Sequence, residues 1–252
     1  MPGVRGVRGR RHVKRYHYDF HIHSCLSPCG DDEMTPADIV GMACVNGLDI
    51  IALTDHNCAR NTPAAVRAGE RAGLTVIPGM ELETAEEVHV VLLFPTAEAA
   101  LACGQVVDDA RFKIGNRPDI YGRQVIMDES DNECGEVADL LVTSTSIGVY
   151  EAAALAGRFG GVAYPAHADK PANGILQILG ALDRDMGFTA VEASPRADAA
   201  FIRRLAADGY AVMYGSDAHY LADIGEPNDR NGIDLDAPTP QAVIRYLRQQ
   251  TF

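Results

Sequence analysis

No apolar run in these 252 residues reaches the ~18 that a membrane span requires, so no membrane association is expected. Met1–Arg15 lacks the apolar stretch of a secretory leader, which points to the cytoplasm. Positive charge is also scarce. Against 35 Asp and Glu stand 22 Lys and Arg, a formal net charge of −13, which excludes a protein that simply coats nucleic acid. The basic residues gather at the start, where Arg5, Arg8, Arg10, Arg11, Lys14 and Arg15 have no acid among them. Residues 1–15 are read as a disordered, Gly-interrupted tail; the other reading is an arm toward a phosphate-rich substrate. The six cysteines (Cys25, Cys29, Cys44, Cys58, Cys103, Cys134) form no evident disulfide framework in a core-rich chain of this length, and free thiols are expected. Cys25 and Cys29 lie near a His-x-His, but no tetrahedral four-donor spacing is evident.

From Tyr16 onward, apolar β-branched runs alternate with amphipathic, alanine-rich segments. The pattern predicts strands over Tyr18–His21, Asp49–Leu53, Thr75–Ile77, His89–Phe94, Gly161–Tyr164, Ala190–Ala193 and Ala211–Tyr214. It predicts helices over Pro36–Val45, Thr62–Ala72, Glu98–Val106, Val149–Phe159, Asn173–Leu182, Asp198–Ala207 and Pro240–Gln249. Thr35-Pro36 reads as a helix start, and Gly47, Gly73 and Gly209 stand where left-handed helix closures belong. Seven strands alternating with helices imply an α/β fold whose parallel sheet is covered on both faces. Polar residues fall at strand ends from at least five strands, which favours a barrel rim over the single switch point of an open sheet. The expectation is one seven-stranded (β/α)7 TIM-like barrel over 16–252, with its site at the C-terminal rim. The stretch 108–136 is polar and aperiodic, with Gly115, Pro118, Gly122 and Gly135, and is read as an inserted lid or specificity loop at that rim.

Six of the eight histidines sit at the ends of those apolar runs. His21 and His23 follow Tyr18-Asp19-Phe20, His56 follows Asp55, His89 opens Val88–Phe94, His167 ends Gly161–Ala166, and Asp217-Ala218-His219 ends Ala211–Ser216. Residues i and i+2 of a strand share a side, so His21 and His23 can face one mouth. A single such histidine is usually a hydrogen-bonded core residue, but independent structural histidines have no reason to favour one rim. Imidazoles and carboxylates gathered there suit Zn, Mn or Fe.

These motifs resemble the polymerase-and-histidinol-phosphatase (PHP) superfamily over roughly Tyr18 to His219. His21-Ile22-His23-Ser24 is similar to its first motif, Leu53-Thr54-Asp55-His56 to its second, Gly79-Met80-Glu81 to the one bearing a bridging glutamate, and Gly215-Ser216-Asp217-Ala218-His219 to its last. His89 and His167 stand where the family has two intervening histidines. The remaining ligand, an acid or histidine before the Pro of the first helix, falls on Asp31, with Asp32 as rival. The resemblance implies a distorted seven-stranded barrel holding two or three divalent ions. One ion would use His21, His23, Glu81 and Asp217; a second would share Glu81 with His89 and His167; a third would use Asp31, His56 and His219.

The chemistry so implied is hydrolysis of a phosphate ester by a metal-activated hydroxide. Asp217 could accept a proton, and His219 or His56 could protonate the leaving group. Arg196, Lys170 and Arg60 follow strand ends and are candidate phosphate contacts, with Arg117 and Arg123 as further candidates. The expected substrate is a small phosphate monoester, a nucleotide or a short oligonucleotide, without a stable nucleic-acid complex. Alternatives are an amidohydrolase-type metal hydrolase and a metal-stabilised interaction domain without turnover.

Overall fold

A computed structural model describes residues 13–249. β1 (Lys14–Ile22), α1 (Pro36–Asn46), β2 (Ile50–Leu53), α2 (Thr62–Ala72) and β3 (Thr75–Glu83) form two successive parallel crossovers. Local chemistry sets the ends of α1. The Thr35 hydroxyl accepts the Asp38 N–H, Pro36 opens the first turn, and Gly47, at φ 83°, returns its N–H to the Ala43 and Cys44 carbonyls. Every residue of β2 is buried, as expected of a strand covered on both faces. Ile51 and Leu53 pack with Ile39, Val40 and Ala65 of the helices, while Ile50 and Ala52 join Phe20, Ile77 and Tyr164.

β4 (His89–Leu93) corrects the expected all-parallel sheet. It pairs antiparallel with β3, Glu81 opposite Val91. The link covers only residues 84–88 and is closed by the Thr84 N–H donating to the Val88 carbonyl at 3.0 Å. A parallel return needs a crossover of about a dozen residues or more. Because the strand is reversed, its first residue, His89, reaches the rim where the parallel strands end.

Beyond β4, α3 (Ala97–Ala110) leads into a polar segment carrying α4 (Pro118–Tyr121), β5 (Val125–Met127) and β6 (Glu133–Glu136). After it, α5 (Val149–Arg158) enters β7 (Val162–Pro165), which is antiparallel to β4. The chain continues through α6 (Ile175–Leu179), β8 (Ala190–Ala193), α7 (Ala199–Ala207), β9 (Ala211–Tyr214), β10 (Gly232–Leu235) and α8 (Pro240–Arg248). The main sheet, ordered β10-β1-β2-β3-β4-β7, is curled, and β8 and β9 form a separate parallel pair. This pair bridges β7 to β1 near the rim. The Ala168 N–H donates to the Glu192 carbonyl at 2.8 Å, and the Asp217 N–H to the His21 carbonyl at 2.9 Å.

Two segments depart from the sequence expectation. β10 pairs antiparallel with the start of β1, Lys14 opposite Leu235, so Lys14 and Arg15 are strand residues; residues 1–12 of the predicted tail lie outside the described residues. The stretch 108–136 is not one irregular loop, because it contains a short helix and the β5–β6 hairpin. Polar side chains hold it. Gln124 donates to the Val137 and Asp139 carbonyls at 2.8 and 2.9 Å, and Arg123 pairs with Glu133 and Glu136. The Val125 N–H docks the hairpin on the rim through the Cys25 carbonyl at 3.0 Å. Among the described residues, no helix is long and apolar enough to cross a membrane.

Candidate metal centre

Five imidazoles surround one carboxylate. Glu81, 1% exposed, lies near the end of β3. Its Oε1 is 3.2 Å from His21 Nε2, 2.9 Å from His89 Nδ1 and 3.2 Å from His167 Nε2. Its Oε2 is 3.1 Å from His56 Nδ1 and 3.4 Å from His23 Nε2. Asp217 adds a second carboxylate, with Oδ1 3.4 Å from His21 Nε2 and 3.2 Å from His23 Nε2. The extended end of β1 turns His21 and His23 to one side, as the i, i+2 spacing predicts. Asp217 and His167 hold left-handed backbone, at φ 56° and 27°. Such conformations cost non-glycine residues roughly 1–3 kcal/mol each and concentrate at functional sites.

Three overlapping groups have donor atoms mutually within 4.8 Å: His21, His23, Glu81 and Asp217; His56, Glu81 and His89; and His23, His56 and His219. The first matches a grouping implied by the resemblance. In the second His56 joins Glu81 and His89, and His167 approaches through Glu81 alone. In the third His23 stands with His56 and His219.

The electrostatics of the cluster follow from this crowding. Burial alone would push the Glu81 carboxyl up, but His89, His21 and His56 hold it well below its usual range. Asp217 is held down by His21 and His23, again against burial. Burial opposes a charged His21, yet Glu192, Glu81 and Asp217 carry it well above the usual histidine value. His23 goes the other way, lowered by burial and by His56.

The donor set fits divalent ions. Glu81 Oε2, His56 Nδ1 and His167 Nδ1 are buried without a hydrogen-bond partner. Buried polar atoms in that state are destabilising unless something else engages them, and a cation would engage both carboxylate and imidazole.

Supporting residues fix the donors. His21 Nδ1 lies 3.0 Å from Glu192 Oε1, and His23 Nδ1 lies 3.0 Å from Ser27 Oγ, whose hydroxyl donates to Asp55 at 2.8 Å. Asp19 accepts the backbone N–H groups of Ser216 and Gly225 at 3.0 and 2.9 Å, so it holds the last motif in place without touching an imidazole. Glu192 was absent from the sequence candidates. Its signal was a lone acid inside the otherwise apolar strand Ala190–Ala193, buried on every side.

Asp31 is not brought to the cluster. Its Oδ1 accepts the Glu33 N–H at 2.9 Å, and Asp32 is exposed. Burial pushes the Cys29 thiol up, but the nearby His219 and His56 draw it down to about 6. Among the candidate phosphate contacts, Lys170 pairs with Asp217 Oδ2 at the edge of the centre. Arg196 and Arg60 are exposed. Arg117 is paired with Asp119, and Arg123 with Glu133 and Glu136. A cavity of about 680 Å³ opens beside Asp217, lined in part by Tyr214, Asn228, Arg230 and Asn231.

A family model described as PHP domain matches residues 19–183. The chain belongs to the PHP domain family. Asp217 and His219 lie beyond the matched span and reach the cluster from the end of β9. A 3',5'-nucleoside bisphosphate phosphatase of Chromobacterium violaceum is 34% identical over 90 residues, which is 34% of this chain and 30% of that protein. A 5'-3' exoribonuclease of Haemophilus influenzae is 32% identical over 77 residues, 29% of this chain and 27% of the relative. The matches thus span under a third of either curated relative's length. Among solved structures, the lesion-specific endonuclease EndoQ of Pyrococcus furiosus superposes with a TM-score of 0.70 at 18% identity, covering 93% of this PHP chain and 56% of the endonuclease chain. At that identity the likeness shows the fold.

Proposed function

We propose that this PHP protein is a metal-dependent phosphoesterase acting on a small phosphate monoester or a nucleotide, in a distorted seven-stranded barrel formed by β1, β2, β3, β4, β7, β8 and β9. The observation that carries the reading is Glu81, enclosed by five imidazoles, two of which, His56 and His167, bury a ring nitrogen without a hydrogen-bond partner. The PHP resemblance and the nucleotide-directed activity named for the Chromobacterium relative support the substrate class.

In this reading His21, His23, Glu81, His56, His89, His167, Asp217 and His219 hold two or three ions, with Zn, Mn or Fe suited to the nitrogen and oxygen donors. When bound, such ions supply Lewis acidity at the phosphoryl group and make a water acidic enough to act near neutral pH. The chain's residues do the rest. Glu192 fixes the ring of His21, and the Asp55–Ser27 pair fixes that of His23. Glu81 is enclosed, whereas Asp217 borders the open cavity, so Asp217 is the carboxylate placed to take a proton.

Lys170, already on Asp217 Oδ2, offsets negative charge where the phosphate enters. Arg196, exposed after β8, gives a second cation to that approach. His219 Nδ1 lies 2.8 Å from the Asp217 carbonyl. That contact keeps the proton on Nδ1 and leaves Nε2 a lone pair in the neutral ring, which suits a ligand better than a leaving-group acid. His56, 5% exposed, is likewise a ligand and not a proton donor to substrate.

The test is phosphate release from a panel of monoesters, nucleoside bisphosphates and short oligonucleotides, with added Mn²⁺ and with a chelator. Turnover that the chelator abolishes supports the reading. A metal-loaded protein inert on the whole panel contradicts it.

A further inference from the structure

We propose that the cavity beside Asp217 is the leaving-group subsite and takes an uncharged nucleoside, with Tyr214 and Arg230 as its specificity-determining pair; this rests on the phosphoesterase reading above. The cavity holds about 680 Å³, a size that suits a small organic molecule. Asp217 joins its wall to the metal centre. Oδ1 of that carboxylate faces His21 and His23, and Oδ2 meets Lys170. A Cβ on Gly215, also in the wall, would stand 2.5 Å from His21 Cβ, so the cavity lies directly against a histidine of the centre. A phosphate ester seated at the centre has this adjoining space for the rest of its substituent.

Tyr214 and Arg230 give the cavity an aromatic face with a cation beside it. Tyr214 ends β9 and is half-buried, and the Arg230 guanidinium lies 5.8 Å from its ring centroid. At that separation a cation is attracted to the ring. Arg230 is exposed, and among the described residues no ion pair engages it. Nucleobases stack on aromatic rings and on guanidinium planes alike. Hydrogen bonds hold the wall that carries Arg230. Its N–H donates to Asn228 Oδ1 at 2.8 Å, the Asn228 N–H to Asn231 Oδ1 at 2.8 Å, and Asn231 Nδ2 to the Glu226 carbonyl at 2.9 Å. The Gly225 N–H anchors the same loop on Asp19 at 2.9 Å.

The charge on the wall sets what the cavity excludes. Asp223 and Asp229 are exposed there, and among the described residues no ion pair engages either carboxylate. Against them stands the single charge of Arg230. The two carboxylates accept hydrogen bonds from hydroxyl and amino groups and repel a second phosphate. An uncharged nucleoside meets both conditions.

Calorimetric titration of the full chain, with Mn²⁺, by each of the four ribonucleosides and by ribose tests the cavity without any phosphate. At least one nucleoside is expected to bind, more tightly than ribose. Tyr214→Leu and Arg230→Ala should each weaken it about fivefold or more, while Tyr214→Phe, which keeps the ring, restores it. In turnover, Tyr214→Leu and Arg230→Ala should raise KM for the matching nucleoside monophosphate about fivefold or more relative to glycerol phosphate, which has no ring. The wild type should show a lower KM for that monophosphate than for the corresponding bisphosphate. Phosphate esters hydrolysed with no nucleoside bound, with an unchanged KM ratio in both variants, or with the bisphosphate preferred overturn the assignment of this cavity alone. A nucleoside held by Tyr214 and Arg230 in a protein that hydrolyses no phosphate ester overturns the phosphoesterase reading, and the leaving-group role with it.

Discussion

Glu192 orients two histidines at once: its Oε1 lies 3.0 Å from His21 Nδ1 and accepts the His167 N–H at 3.0 Å. The first contact turns His21 Nε2 toward Glu81 and Asp217, and the second fixes the left-handed backbone of His167. Carboxylates in that position set imidazole tautomer and ring direction, and losing one typically lowers metal affinity about 10- to 100-fold. Glu192→Gln is therefore expected to keep its fold and bind Zn²⁺ about 10- to 100-fold more weakly, measured by competition with a chelating dye. Unchanged affinity would show that Glu192 serves packing only.

The metal-free protein should have an unusual pH optimum of stability. His21, His56 and His219 hold protons above the usual histidine range: burial opposes their charge, but Glu192, Glu81 and Cys29 outweigh it in turn. The stability this adds is complete below about pH 6.5 and is lost as pH rises through the folded values. Glu81 and Asp217, held low, add stability above about pH 4.3 that is lost as pH falls through their folded values. His23, lowered by burial and His56, trims the acid side. With chelator, Tm should peak near the upper end of about pH 4.5–6.5 and decline above it. Mn²⁺, which replaces those protons, should sustain Tm on the alkaline side. A chelated sample whose Tm keeps rising toward about pH 8 contradicts this electrostatic picture.

Asn57 ties the rim to the segment that covers it. At φ 48°, its amide donates to the Leu141 and Thr143 carbonyls at 2.8 and 3.0 Å and accepts the Glu83 N–H at 2.9 Å. Asn57→Ala removes these bonds and puts a residue that dislikes left-handed backbone there. A loss of about 2–3 kcal/mol is expected, read from the urea midpoint with an unchanged slope. A loss below about 0.5 kcal/mol would mean that the segment is held elsewhere.

Arg196→Ala is expected to raise KM for a phosphate substrate about tenfold or more at unchanged metal content. An unchanged KM removes Arg196 from the site and leaves Lys170 as the cation beside Asp217.

Much of this was legible in the chain because strand ends carry their own punctuation. His21-x-His23, Asp55-His56, His167 and Asp217-x-His219 each close an apolar run; the fold brings His21, His23, His56, Asp217 and His219 together, and His167 to Glu81. The direction of β4 was misread because its apolar pattern is the same either way; only the length of the 84–88 link distinguishes a hairpin from a crossover. The β5–β6 hairpin gave no period because Glu133–Glu136 is exposed throughout and is held by Arg123 and Gln124 instead of a core. Asp31 looked right by chemistry, but its carboxylate caps the Glu33 N–H, and a local turn of that kind leaves no hydrophobic trace.

The most direct test of the account is phosphate release by Mn²⁺-loaded wild type beside Glu81→Gln, with bound metal counted in both. The account predicts that wild type turns over a monoester or nucleotide, and that Glu81→Gln loses turnover together with ions while remaining folded. A Glu81→Gln protein that keeps its ions and its turnover would contradict the central claim, because the carboxylate on which five imidazoles converge would then have no part in the chemistry.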